Sequence, residues 1–154
     1  MGYCKLLRRK IRTALTFSRH ERQILLQAWA LLLAVDLALR VLSFSRVQGL
    51  LALGRKDSAK LQVAVSWVTI WYLERLVGIA ACNHLYPMRC IQQSLVLQRL
   101  LHRGGVMTSL RIGVRKEGDG LRAHAWLEHD GQSISRPEHI AAGFASLVAQ
   151  EMDR

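Results

Sequence analysis

Cys90 and His124 are the residues of this sequence whose types and surroundings point most directly to chemistry. Cys90 follows closely on Pro87 and opens CIQQSLVLQRLLHR, an apolar stretch of helical period closed by Gly104 and Gly105. A thiol used only for bulk could sit anywhere along a buried stripe. At the first turn it lies where the helix macrodipole favours an anion, which promotes the reactive thiolate. His124 lies in LRAHAWLEH, which alternates like a strand; Trp126 and Glu128 share its face, and Ala123, Ala125 and Leu127 take the other. If that strand packs on the Cys90 helix, the imidazole reaches the thiol, takes its proton and returns it to a leaving group. The chemistry expected is acyl transfer through a thioester, either to water, as in a peptidase, or to an amine, as in a transglutaminase or amidase.

Other candidates are weaker. Cys82 is expected to pack, or to lie near the site without a role, and Cys4 sits in a basic segment. His84, His102, His129 and His139 have no metal-ligand spacing, so no metal is expected. Gly113, Gly118 and Gly120 form no phosphate loop, and no cofactor is expected. Basic residues are scattered rather than striped and no nucleic-acid motif occurs, so no nucleic-acid partner is expected.

Two regions must position the pair. The first is helical. Ser18 and Glu21 have capping-box spacing and start a helix that runs to about residue 42. A shorter helix, FSRVQGLLALG, ends at Gly54, and RKDSAK is a polar loop. A third helix, LQVAVSWVTIWYLERLVGIA, carries Val63, Trp67, Trp71 and Glu74 on one side, where aromatics four apart imply core packing. In the second region the Cys90 helix is expected to bury Ile91, Leu95, Leu100 and Leu101 and to turn Gln92, Gln93 and Arg99 outward. The period then changes to two. VMTSLRIGV and LRAHAWLEH read as strands joined by the turn RKEGDG, Asp130–Gly131 is a hairpin turn, and QSIS is a short third strand. The stretch from Pro137 onward reads as a helical or frayed tail. The expected class is α+β, divided as a basic segment 1–17, a helical region 18–80 and a catalytic core 81–154.

The chain has 154 residues, 51% of them hydrophobic, enough for a real core and too apolar for a disordered tail. Three cysteines without a paired spacing argue against a secreted disulfide framework and for a reducing, cytoplasmic compartment. The net charge of +11 suits an anionic surface or an acidic partner. Lys5, Arg8, Arg9, Lys10 and Arg12 precede the apolar run ILLQAWALLLAVDLALRVL, an order that mimics a signal peptide or membrane anchor. Gln27, Asp36 and Arg40 interrupt the run, so a soluble helix is expected, with peripheral membrane contact or an anchor as the alternatives.

From Cys90 to Gly131 the sequence resembles the catalytic region of lasso-peptide maturation proteases, which are transglutaminase-like proteins with a papain-like core. The resemblance rests on the Cys-led helix, LRIGVRK and AHAWLEHDG, and extends upstream through ERQILLQAWALLLAVDLALRVLSFSRV. It implies that Cys90 is the nucleophile and His124 the general base. It also implies removal of the leader from a ribosomally made precursor peptide, which frees the core peptide's amine for ring closure by a separate ATP-using cyclase. The short form of the family relies on a separate small leader-binding protein, and this chain is expected to do the same. In one place the sequence departs from the family pattern. Where the family carries an acid shortly after the DG turn, this sequence reads GQSISRPEH. Ser135 or Arg136 falls opposite His124 according to loop length, and Asp130 and Glu138 are the nearby carboxylates. A non-catalytic basic scaffold is therefore the reading from a different functional class.

Overall fold

The structure, a computed structural model, describes residues 17–52, 65–117, 120–134 and 145–150. Four helices are described: α1 (Arg19–Val41), α2 (Phe44–Ala52), α3 (Trp67–Cys82) and α4 (Cys90–Arg103). The capping box at the start of α1 forms as expected. The Glu21 backbone N–H donates to Ser18 Oγ at 3.2 Å, and the Ser18 N–H donates to the Glu21 carboxylate at 2.6 Å. The same carboxylate accepts from the Tyr72 hydroxyl, which ties the start of α1 to α3. α3 begins later than its apolar pattern suggests. Ser66 is an extended N-cap whose Oγ accepts from the Val68 N–H at 3.3 Å, because a serine there satisfies an otherwise orphan amide. Residues 61–64 and Gly54 lie outside the described residues.

The sheet is antiparallel, in the order β3-β2-β1-β4, with β1 (Ser109–Glu117), β2 (Gly120–His129), β3 (Gln132–Ser133) and β4 (Ala145–Gln150). The β1–β2 register runs from Ser109↔Glu128 to Glu117↔Gly120, so Arg115, Lys116 and Glu117 belong to β1 rather than to a turn. The DG turn is as expected: Asp130 (φ 49°) and Gly131 (φ 74°) are both left-handed, the twist that a two-residue hairpin needs. The tail corrects the sequence reading, since residues 145–150 form β4 and pair antiparallel with β1. The free edge of β1 offers a row of unpaired N–H and C=O groups. A strand laid along it satisfies them, which outweighs a weak helical period.

α4 packs against α1 and α3 on one side and against β1 and β2 on the other. One apolar cluster runs through all of them, from Leu32 of α1 and Ile70 and Val77 of α3, through Leu95 and Leu101 of α4, to Leu110, Ala125 and Leu127 of the sheet. A helix covered on two sides buries more than one stripe. Gln92, expected to point outward, is therefore buried, while Ile91 and Leu100 are only half-buried. Trp71 is a second correction. It is 52% exposed, while Trp67 packs on the core cluster and lies beside the His129 ring.

The turn supplies a clean test. A Cβ on Gly131 would meet nothing within 4 Å, so backbone conformation alone sets the cost of adding one. Gly131→Ala is expected to destabilise the fold by about 1–2 kcal/mol. Urea unfolding should then show a lower midpoint with an unchanged slope.

Candidate active site

Cys90 is the first residue of α4, and the chain before it is clamped residue by residue. The Arg89 N–H donates to Gln92 Oε1 at 2.6 Å, and Gln93 Nε2 donates to the Met88 carbonyl at 2.9 Å. Gln92 Nε2 in turn donates to Asp36 Oδ1 of α1 at 2.5 Å. Asp36 is buried and also accepts from the Tyr86 hydroxyl at 2.7 Å and from Arg40 Nε at 2.8 Å. These donors, the Tyr86 hydroxyl first, hold its carboxyl below the usual carboxylate range against the opposing effect of burial. Asp36 of α1, Tyr86 of the loop before α4 and Gln92 of α4 thus fix the entry into α4. Arg89, at the N-cap, carries only donors and makes no side-chain cap, so the N-cap side chain does not compete with an anion at the first-turn amides.

His124 sits on β2 opposite Gly113 of β1, which presents no side chain beside the imidazole. Its ring stacks on Trp126, with centroids 6.2 Å apart and planes at 15°. Trp126 Nε1 donates to Glu128 at 3.2 Å, and Arg111 Nε pairs with the same carboxylate at 2.8 Å. His124, Trp126 and Glu128 alternate onto one face of β2, as the sequence pattern indicates, and Ala125 and Leu127 join the core. Ser94 of α4 latches the helix to this strand, its Oγ donating to the Ala125 carbonyl at 3.1 Å. The bond lies one turn beyond Cys90 and one residue from His124.

Cys90 and His124 line one cleft of about 410 Å³ between α3, α4 and β2. Cys90 is half-buried, and His124 Nε2 is buried. Ser94, Gln93, Glu74 and Cys82 line the same cleft. Cys82 is exposed there, so of its two expected placements the structure gives the one near the site rather than packing. Among the described residues lining the cleft, Glu74 is the carboxylate. Asp130 is not at the cleft. It sits in the β2–β3 turn with its side chain 85% exposed, 3.5 Å from His129. Ser135, Arg136 and Glu138 lie outside the described residues, as do Cys4 and His139. No group of three His, Cys, Asp or Glu among the described residues is placed to hold a metal ion.

A family model described as the transglutaminase-like superfamily matches residues 31–149, which takes in the cleft, α4 and the sheet. This chain belongs to the transglutaminase-like superfamily. Neither a curated protein nor a solved structure matches it significantly. Proteins of the transglutaminase-like superfamily are generally cysteine-dependent enzymes, and the α+β core described here is consistent with that family. Sequence pattern alone had marked the cysteine and histidine. The supports of this transglutaminase-like site, Asp36, Gln92 and Ser94, carry no local signal beyond polar residues interrupting an apolar stripe.

Two outcomes follow. Ser94→Ala leaves the buried Ala125 carbonyl without its donor and is expected to cost about 1–3 kcal/mol in urea unfolding. Asp36 has a depressed carboxyl pKa, so its contribution to stability is whole above the ordinary carboxylate value of about 4 and is lost as pH falls through the folded value. Melting curves from about pH 6 to about pH 3 should therefore show Asp36→Asn starting below the wild type, with the gap narrowing as the pH drops.

Proposed function

We propose that this chain is a cysteine peptidase that removes the leader from a lasso-peptide precursor before ring closure. The observation that carries the reading is the shared cleft, in which a thiol at a helix start and an imidazole on the adjoining strand line one wall-to-wall space. The sequence resemblance from Cys90 to Gly131 supplies the substrate class. In this reading His124 takes the Cys90 proton, and the thiolate attacks the carbonyl of the scissile peptide bond. The first-turn amides of α4 face the developing oxyanion. Collapse expels the core peptide's amine, which receives the proton from His124, and leaves the leader as a thioester on Cys90. Water, deprotonated by His124, then hydrolyses the thioester and restores the thiol. The free amine passes to a separate ATP-using cyclase. A separate small leader-binding protein delivers the precursor, and the reaction takes place in the cytoplasm, where the thiols stay reduced.

The test is cleavage of a precursor peptide by the purified chain together with its leader-binding protein, read by mass spectrometry. Cys90→Ala and His124→Ala are each expected to lower the rate by at least about 10³-fold while leaving the melting temperature nearly unchanged. Cys90 should also react with iodoacetamide faster than Cys82 near neutral pH, although Cys82 is the more exposed thiol. Undiminished cleavage by Cys90→Ala sinks the mechanism. Amide formation with an added amine, in place of hydrolysis, would reassign the chain as an acyltransferase.

A further inference from the structure

α1 has two unlike faces. Its inner face carries Ala28, Leu32, Val35 and Asp36, all buried against the rest of the fold. Its outer face carries Leu26 (69% exposed), Leu37 (52%) and Val41 (84%), with exposed Ala30 and Ala34 and half-buried Leu33 between them and the uncharged amides of exposed Gln23 and Gln27 at its N-terminal end. This stripe runs for about 22 Å at the rise of an α-helix. Asp36 is the one charged residue between Arg22 and Arg40, and it points inward to Tyr86 and Gln92. Of the three residues that interrupt the apolar run, Asp36 is thus turned inward, while Gln27 and Arg40 are exposed.

The charges that do flank the stripe are positive. Arg22 is exposed at one end, and Arg40, whose Nε pairs with Asp36, is exposed at the other. The first twenty residues contain Lys5, Arg8, Arg9, Lys10, Arg12 and Arg19 and no acidic residue. An aliphatic stripe bounded by cations complements a surface that is apolar beneath and anionic above. Acyl chains under acidic headgroups present that combination.

We infer that α1 docks this protein on an anionic membrane surface, lying flat with its outer stripe among the headgroups and upper acyl chains. α1 is long and apolar enough to cross a bilayer by length and composition. Crossing would require its inner face to leave α3 and α4 and would carry the Asp36 carboxylate into hydrocarbon. Lying flat leaves every one of those contacts in place. The basic segment adds attraction that falls with ionic strength. This inference stands apart from the peptidase reading, because no residue of the stripe lines the cleft.

Flotation of the full chain with vesicles tests it. Vesicles of phosphatidylcholine with about a third phosphatidylglycerol should carry the protein, with binding at least about tenfold weaker on pure phosphatidylcholine or at high salt. Replacing Leu26, Leu37 and Val41 together by Ser should weaken binding to the anionic vesicles at least about tenfold. Because all three side chains are exposed, the melting temperature should hold. Replacing Arg8, Arg9 and Lys10 by Gln should weaken binding as well and flatten the salt dependence. Failure to float overturns the inference, and so does undiminished binding by the serine variant, which would show attraction by charge alone. Conversion of a dimer to a monomer by the serine variant, with no flotation of either form, would instead assign the stripe to a second copy of the chain.

Discussion

A carboxylate inside a packed layer must be satisfied on all sides, and Asp36 is the group on which the arrangement of this protein turns. It lies on the inner face of α1 and collects a phenol, an amide and a guanidinium, from Tyr86, Gln92 and Arg40. Two of those donors come from the short chain that leads into α4 and from its first turn. Satisfying one buried acid therefore fixes where α4 begins. Since α4 begins at Cys90, the same bonds fix where the thiol stands. Gln92 makes the coupling tight, because one end of its amide serves Asp36 while the other holds the Arg89 N–H.

The other half of the site is set by the sheet. His124 is held from the side by the Trp126 ring, and that indole is held by Glu128 and Arg111. The Ser94–Ala125 bond joins the two halves. None of these polar contacts is large by itself. The apolar cluster around Leu95, Leu101, Ala125 and Leu127 supplies the non-directional attraction, and the hydrogen bonds select one placement from those the packing allows. That division suits the candidate site, whose thiol and imidazole come from α4 and β2, elements distant in sequence that line one cleft.

The faces of α1 extend the same logic outward. Because Asp36 is used up internally, the outward side of the helix carries aliphatic residues, the amides of Gln23 and Gln27, and no acid. The composition of the sequence placed a membrane and a soluble core in competition for this helix. The structure buries one face of the helix against the core and leaves the other exposed.

By itself the sequence determined what depends on near neighbours. Ser18 and Glu21 announced the start of α1, Asp130–Gly131 the hairpin turn, and the change of period after Gly105 the passage from helix to strand. Cys90 at a helix start and His124 on a strand face were legible for the same reason, since capping, turn conformation and periodicity are local physics. Tertiary structure decided what depends on distant partners. A helix period reveals one buried stripe, but α4 has neighbours on two sides, so Gln92 turned inward against a pattern that marked it as surface, and Ser94 is buried with it. The tail became β4 because β1 had an open edge, a demand that no window around residues 145–150 contains. Which acid could stand near the imidazole also lay beyond local reading. Asp130, close to His124 in sequence, faces solvent, while Glu74, far from it in sequence, lines the cleft because α3 packs beside α4.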